Sequence, residues 1–276
     1  MTKKKKIYKS SGKLVPYSEE KVRRSLLRSG ADRDLANAIA QKVTAEIREG
    51  DTTRDVFKKA YAMLRGQKQR GVAARYNLKQ AILDLGPTGF PFERFIGELF
   101  KRKGFTVHVS QKVHGACGVN HEVDVIVENE EKVRYIECKF RNVLGAQVDV
   151  KVPLYIHSRF EDIEANTENH EKRKQEPWII TNSIFSVDAI KYAECMNMKI
   201  IGWRYPHDFG LEHLVEDAKL HPITCLSNLT KTQKQELLQK GIVICSDLYS
   251  HEQFLKNLGV NVHALFKELQ DLYKEE

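Results

Sequence analysis

The sequence predicts an α/β core, a mixed sheet flanked by helices, with a mostly helical region before it and a helical segment after it. Three observations carry this. Val123 to Val127 and Val133 to Phe140 are β-branched and aromatic runs separated by the polar turn Glu128-Asn129-Glu130-Glu131-Lys132, a hairpin pattern. Downstream, strand-like Trp178-Ile179-Ile180-Thr181 and Lys199 to Trp203 alternate with helical patterns at Val152 to Phe160 and Val187 to Cys195, the order of a sheet flanked by helices. At both ends of the chain, apolar residues recur at helical spacing.

The N-terminal region begins with a small hairpin: Ile7-Tyr8-Lys9, a Ser10-Ser11-Gly12-Lys13 turn, then Leu14 to Tyr17. Ser18 is placed to N-cap a first helix whose opening turn carries Glu19 and Glu20, matching the positive end of the helix dipole. Leu35, Ile39, Val43 and Ile47 mark a second helix, ended by Gly50. Thr52 or Thr53 caps a third through Val56, Tyr61 and Leu64, and a fourth is expected from Val72 to Leu85. Gly86-Pro87-Thr88-Gly89-Phe90-Pro91 is the clearest punctuation in the chain and sets a boundary, giving regions 1–86, 87–205 and 206–276.

In the central region Phe92, Phe95, Ile96, Leu99 and Phe100 form one apolar helical stripe. Glu93 lies about 100° from Phe92 and so borders that stripe, whereas Glu98 falls on the wet side. In the hairpin that follows, Glu137 and Lys139 share a face by strand alternation. Facing Glu128 with Lys132 puts Asp124 beside Ile136, and a one-residue shift puts it beside Glu137. Two or three carboxylates and an ammonium thus converge, and a hard divalent cation is the natural occupant among the carboxylates. Lys139 would then activate water or stabilise charge on a phosphate. Beyond it, Pro153 falls in the first turn of the Val152–Phe160 helix, and residues 164–176 read as a polar loop. Arg141, Gln147 and Arg159 are available to position a phosphate, or to serve as ordinary surface residues. After Tyr205-Pro206 come leucine-marked helical stretches and a last helix from Asn261 to Tyr273.

The net charge of +8 favours polyanionic partners through phosphate contacts. There is no run of about 18 apolar residues and no apolar leader after the basic Lys3–Lys6 run, so a cytoplasmic, non-membrane protein is expected. Five cysteines without a Cys-x-x-Cys pair support neither a disulfide framework nor a zinc ribbon. A Gly-x-x-x-x-Gly-Lys-Ser/Thr loop is absent, so an ATP-hydrolysing motor is not indicated.

The order Glu93, Gly104-Phe105-Thr106-Val107, Asp124, Glu137-Cys138-Lys139 resembles the Mrr-like branch of the restriction-endonuclease, or PD-(D/E)XK, superfamily. The resemblance covers roughly residues 87 to 203. It implies that Asp124 and Glu137 bind Mg²⁺ or Mn²⁺, with Glu93 as an additional ligand, that Lys139 is catalytic, and that the reaction is phosphodiester hydrolysis. Where family members often carry Gly-x-x-Asp-Gly-Gly-x-Asp, this chain has Gly115-Ala116-Cys117-Gly118-Val119-Asn120-His121-Glu122. The N-terminal pattern Lys9-x-x-Gly12-x-x-x-Pro16-Tyr17-x-x-x-Lys21-Val22-x-x-Ser25-Leu26, with Thr53 and Ala73-Ala74-Arg75-Tyr76, is similar to the ATP-cone, the nucleotide-sensing domain found ahead of ribonucleotide reductases and in their repressor. That likeness implies ATP or dATP bound through Lys9, Lys21 and Thr53. Leu226, Leu229, Leu237-Leu238, Gly241-Ile242 and Leu248 resemble a helix-hairpin-helix fold, although Thr230-Lys231-Thr232 replaces its Gly-x-Gly turn.

The expectation is therefore a Mg²⁺-dependent endodeoxyribonuclease gated by nucleotide, acting on DNA, with RNA also open as substrate. A homodimer is expected if both strands of a duplex are cut. The competing reading is a nucleotide-responsive DNA-binding regulator without nuclease activity.

Overall fold

The computed structural model describes residues 5–9, 12–67, 69–143, 145–166 and 173–273. Lys3 and Lys4 of the basic run, Ser10 and Ser11 of the first turn, and residues 167–172 of the polar loop lie outside them. The chain divides into two compact units. One comprises Met1–Ala81, Cys225–Lys234 and Leu248–Glu276, the other Ile82–Thr224 and Gln235–Asp247.

The first unit opens with the expected hairpin, β1 (Lys6–Tyr8) and β2 (Leu14–Pro16), antiparallel with Ile7 opposite Val15. Ser18 caps α1 (Glu19–Arg28), accepting the Lys21 N–H, and Asp32 caps α2 (Arg33–Glu46). Helix α3 (Thr53–Gly66) starts on a reciprocal box in which Thr52 and Asp55 each satisfy the other's backbone N–H. Their apolar faces bury Val22, Leu26, Ile39, Val43, Val56 and Leu64 in one core. The helix expected over Val72–Leu85 is two pieces, α4 (Arg70–Tyr76) and α5 (Leu78–Leu83). They meet at buried Asn77, a residue whose side chain competes with helical backbone bonding. Helix α2 also stops at Glu46, short of Gly50.

In the second unit α6 (Phe90–Arg102) buries Phe92, Phe95, Ile96, Leu99 and Phe100, as its stripe requires. A five-stranded sheet follows, ordered β3-β4-β5-β7-β9: β3 (Thr106–His114), β4 (Asn120–Glu128), β5 (Lys132–Lys139), β7 (Lys174–Thr181) and β9 (Lys199–Ile201). The first three strands are antiparallel and the last two pairings parallel, so the sheet is mixed. Sequence reasoning placed no strand over β3: Val107, Val109 and Val113 alternate, but the polar run Ser110-Gln111-Lys112 interrupts the pattern. Between β5 and β7 lie β6 (Gln147–Val148) and α7 (Lys151–Ala165); β8 (Ile184–Phe185) and α8 (Val187–Cys195) precede β9. Helix α6 seats closely on β3 at Gly97, where a Cβ would stand 3.1 Å from Val109 Cγ2.

The C-terminal segment holds α9 (Leu211–Asp217), α10 (Lys231–Gln239), α11 (Glu252–Asn257) and α12 (Val262–Tyr273). Thr230-Lys231-Thr232, read as a hairpin turn, is the start of α10: Thr230 and Gln233 exchange side-chain-to-backbone bonds there. In the first unit α12 packs on α4, and its buried Glu268 accepts from the backbone and side chains of Ser227 and Asn228 at 2.6–2.9 Å. No helix among the described residues is long and apolar enough to cross a membrane. No disulfide joins the five cysteines.

Candidate active site

The β4–β5 register decides where the acids meet. Val125 pairs with Ile136 and Glu128 with Val133, one residue away from the Glu128–Lys132 facing, so extending the ladder sets Asp124 opposite Glu137. Regular pairing ends at Val125, and the Asp124 carboxylate turns to accept the Cys138 N–H at 2.7 Å. Burial, then the charge of Glu137, pushes the Asp124 carboxyl up to about 6.

Glu137 is buried in the middle of a sheet and would be costly there without partners. Its Oε1 accepts from the Tyr155 hydroxyl at 2.8 Å and from Lys139 Nζ, and its Oε2 accepts from Arg159 Nη1 at 2.7 Å. Burial opposes the Lys139 charge, but the hydrogen bond to Glu137, the Glu137 charge and the Tyr155 contacts together outweigh it, and the ammonium is held above its usual range. Glu93, in the first turn of α6, is in electrostatic reach of the same group. Burial raises its carboxyl to about 7, with further contributions from Asp124, Glu122 and Glu137.

All four residues singled out for chemistry in this region are thus brought together. Among the described residues no three His, Cys, Asp or Glu side chains are poised to hold an ion. The donor chemistry nevertheless fits a hard divalent cation: the acids offer oxygen donors only, and burial, then mutual repulsion, disfavours the charged forms of Glu93 and Asp124 despite the nearby Lys139. A divalent ion offsets that repulsion.

Two contributors were missed. Tyr155 was read only as part of an apolar helix pattern, and Asp162 not at all. Both lie on one stripe of α7 with Arg159 and the capping Asn166. Arg159 Nη1 also donates to the Glu122 carbonyl at 3.0 Å, Asp162 accepts from His121 at 2.6 Å and from the Cys117 N–H at 2.8 Å, and Asn166 donates to the His114 carbonyl at 3.1 Å. The signal was present as polar residues at spacings of four, three and four beside the apolar stripe Ile156, Phe160 and Ile163. The Cys138 thiol is buried and pushed well up, which makes it inert.

The N-terminal candidates sit on the first unit's surface. Tyr8 bridges to Thr52 beside β1, so Lys9 and Thr53 each follow a bridged residue, while Lys21 is exposed in the first turn of α1.

A family model described as restriction endonuclease, of the Mrr catalytic type, matches residues 87–204, and one described as AF1548-like, C-terminal, matches residues 221–273. An uncharacterized protein of Archaeoglobus fulgidus is 36% identical over 167 residues, which is 60% of this chain and 91% of that protein. The crystal structure of AF1548, a protein of unknown function, matches with a TM-score of 0.53 at 33% identity, covering 67% of this chain and 95% of the other.

Proposed function

The chain belongs to the same family as that Archaeoglobus fulgidus protein and contains an Mrr-type restriction-endonuclease domain, and from this premise we propose that it is a metal-dependent endonuclease hydrolysing DNA phosphodiester bonds. The observation that carries the reading is the meeting of Asp124, Glu137, Lys139 and Glu93 from two strands and a helix, inside a domain of this type. Asp124 and Glu137 would hold Mg²⁺ or Mn²⁺, with Glu93 as an additional ligand, directly or through water. The ion would supply positive charge for the phosphate and acidify water. Lys139, kept charged by Glu137, stabilises the charge that develops on the phosphate and orients the attacking water.

The N-terminal region, taken as residues 1–86, is proposed to be an ATP-cone that binds ATP or dATP through Lys9, Lys21 and Thr53 and gates cleavage. Lysines beside a turn suit a triphosphate as point charges. Cutting both strands of a duplex with one centre per chain favours a homodimer. The helical stretches within residues 206–276 are proposed to carry helix-hairpin-helix character.

The test is cleavage of supercoiled plasmid with Mg²⁺ or Mn²⁺, with and without ATP and dATP, beside Asp124→Ala and Lys139→Ala. Nicking lost in both variants and altered by nucleotide is expected. DNA binding without cleavage of duplex, single strand or RNA would replace this reading with that of a nucleotide-responsive regulator.

A further inference from the structure

Glu137 has partners on both carboxylate oxygens, and two of the three donors come from α7 rather than from the strand motif. A cation that takes Glu137 competes with these donors for its oxygens, and Oε2 carries Arg159 alone among them. The Arg159 tie is the replaceable one, because its guanidinium has other anchors. Nη1 also donates to the Glu122 carbonyl at 3.0 Å, Nη2 donates to the Tyr155 hydroxyl at 3.1 Å, and the guanidinium lies over the Tyr155 ring at 4.8 Å. Losing Glu137 therefore need not send Arg159 away from the centre. Its side chain is 23% exposed against 7% for Glu137, so a ligand arriving from solvent can meet it. A planar fork of N–H donors freed from a carboxylate matches the oxygens of a phosphate.

We propose that Arg159 is a catalytic residue of this centre: its guanidinium neutralises Glu137 until a divalent cation takes that carboxylate, and then pairs with the phosphate of the substrate. This rests on the nuclease reading above. One consequence separates the proposal from a simple structural tie. A guanidinium that competes with the metal weakens metal binding in the absence of nucleic acid, whereas one that merely positions Glu137 strengthens it. Phosphate binding to Arg159 also draws it from Glu137, so metal and nucleic acid favour each other's binding, and linkage makes that coupling reciprocal.

The experiment is a calorimetric Mn²⁺ titration of the full chain and of Arg159→Gln, Arg159→Lys and Asp124→Ala, repeated with a short duplex carrying uncleavable phosphorothioate linkages. Binding of the same duplex is followed against salt. Arg159→Gln is expected to bind Mn²⁺ about tenfold more tightly without DNA, the scale of one charge-assisted contact. It is also expected to lose the DNA-induced gain in Mn²⁺ affinity and to show a salt slope lower by about one. Arg159→Lys keeps the charge but not the fork, so its Mn²⁺ affinity should stay near wild type while its cleavage rate falls; it carries the test if Arg159→Gln fails to fold. Weaker Mn²⁺ binding in Arg159→Gln, or an unchanged salt slope, overturns the proposal and leaves the nuclease reading standing. Absence of any Mn²⁺ site in the wild type, indistinguishable from Asp124→Ala, overturns both.

Discussion

Asp124 and Glu137 lie just past the end of the β4–β5 ladder, on facing strands, yet their charges are met differently. Glu137 takes two cations and a hydroxyl, while Asp124 takes one backbone N–H and remains pushed up. The hydroxyl of Tyr155 fixes the Glu137 rotamer by holding Oε1, and it stands 3.4 Å from Lys139 Nζ. Tyr155→Phe keeps the ring and removes that tie. A hydrogen bond to a charged group is worth about 1.5–3 kcal/mol, so the rate of cleavage at saturating metal should fall about tenfold or more if the hydroxyl's orientation of Glu137 matters to the chemistry. Single-turnover cleavage beside a thermal melt measures this; an unchanged rate would leave the hydroxyl a packing contact only. At this scale the strand residues were legible because alternation fixes which side chains share a face, and Glu137 and Lys139 do touch. Tyr155 was not, because a helix reveals its inward apolar side in sequence and hides which strand its flank will meet.

Helix α7 is the element that ties the strands of the centre to the loop beside them. Its apolar residues face the sheet, and its polar stripe binds Glu137, the Glu122 carbonyl, His121 and the 115–118 turn in succession. Asp162 lies in that stripe, and its hydrogen bonds to His121 and Cys117 hold its carboxyl down at about 2. A carboxyl lowered on folding contributes stability that is fully present above its unfolded value, about 4. That stability is lost as pH falls toward the folded value. Urea melts of wild type and Asp162→Asn should therefore differ most near neutral pH and converge in the window from about pH 4 down to about 2. A gap that stays constant across that window would show that the His121 and Cys117 contacts do not act through the carboxylate charge. The position of α7 was readable from Val152, Ile156 and Phe160, but not its full length, since it runs on to Ala165 into the stretch read as a polar loop. β3 was not readable, because its alternating Val107, Val109 and Val113 are interrupted by the polar run Ser110-Gln111-Lys112.

For the chain as a whole, the C-terminal residues cannot be treated as one appended block. Leu248–Glu276 belongs to the unit built on Met1–Ala81, whereas Gln235–Asp247 belongs to the unit that holds the sheet. Periodicity could show that Leu265, Leu269 and Leu272 form a buried stripe, but not which neighbour the stripe covers, because leucine pairs carry no address. The address is set by shape: at Gly71 in α4 a Cβ would stand 2.3 Å from the Asp271 carbonyl oxygen, and Arg75 donates to the Leu272 carbonyl at 3.2 Å. Only a residue without a side chain lets the two helices approach so closely. Gly71→Ala should accordingly cost about 1–3 kcal/mol, the usual range for overpacking, and should do so in the first unit. Removal of Leu248–Glu276 should act on that unit more severely, since it strips the cover from α4 while leaving every residue of the sheet-containing unit in place. Trypsin should then cut the truncated chain first within residues 5–81, with the sheet resisting longer. Equal resistance of both units, with an unshifted melting profile, would mean that the N-terminal helices hold together without α12.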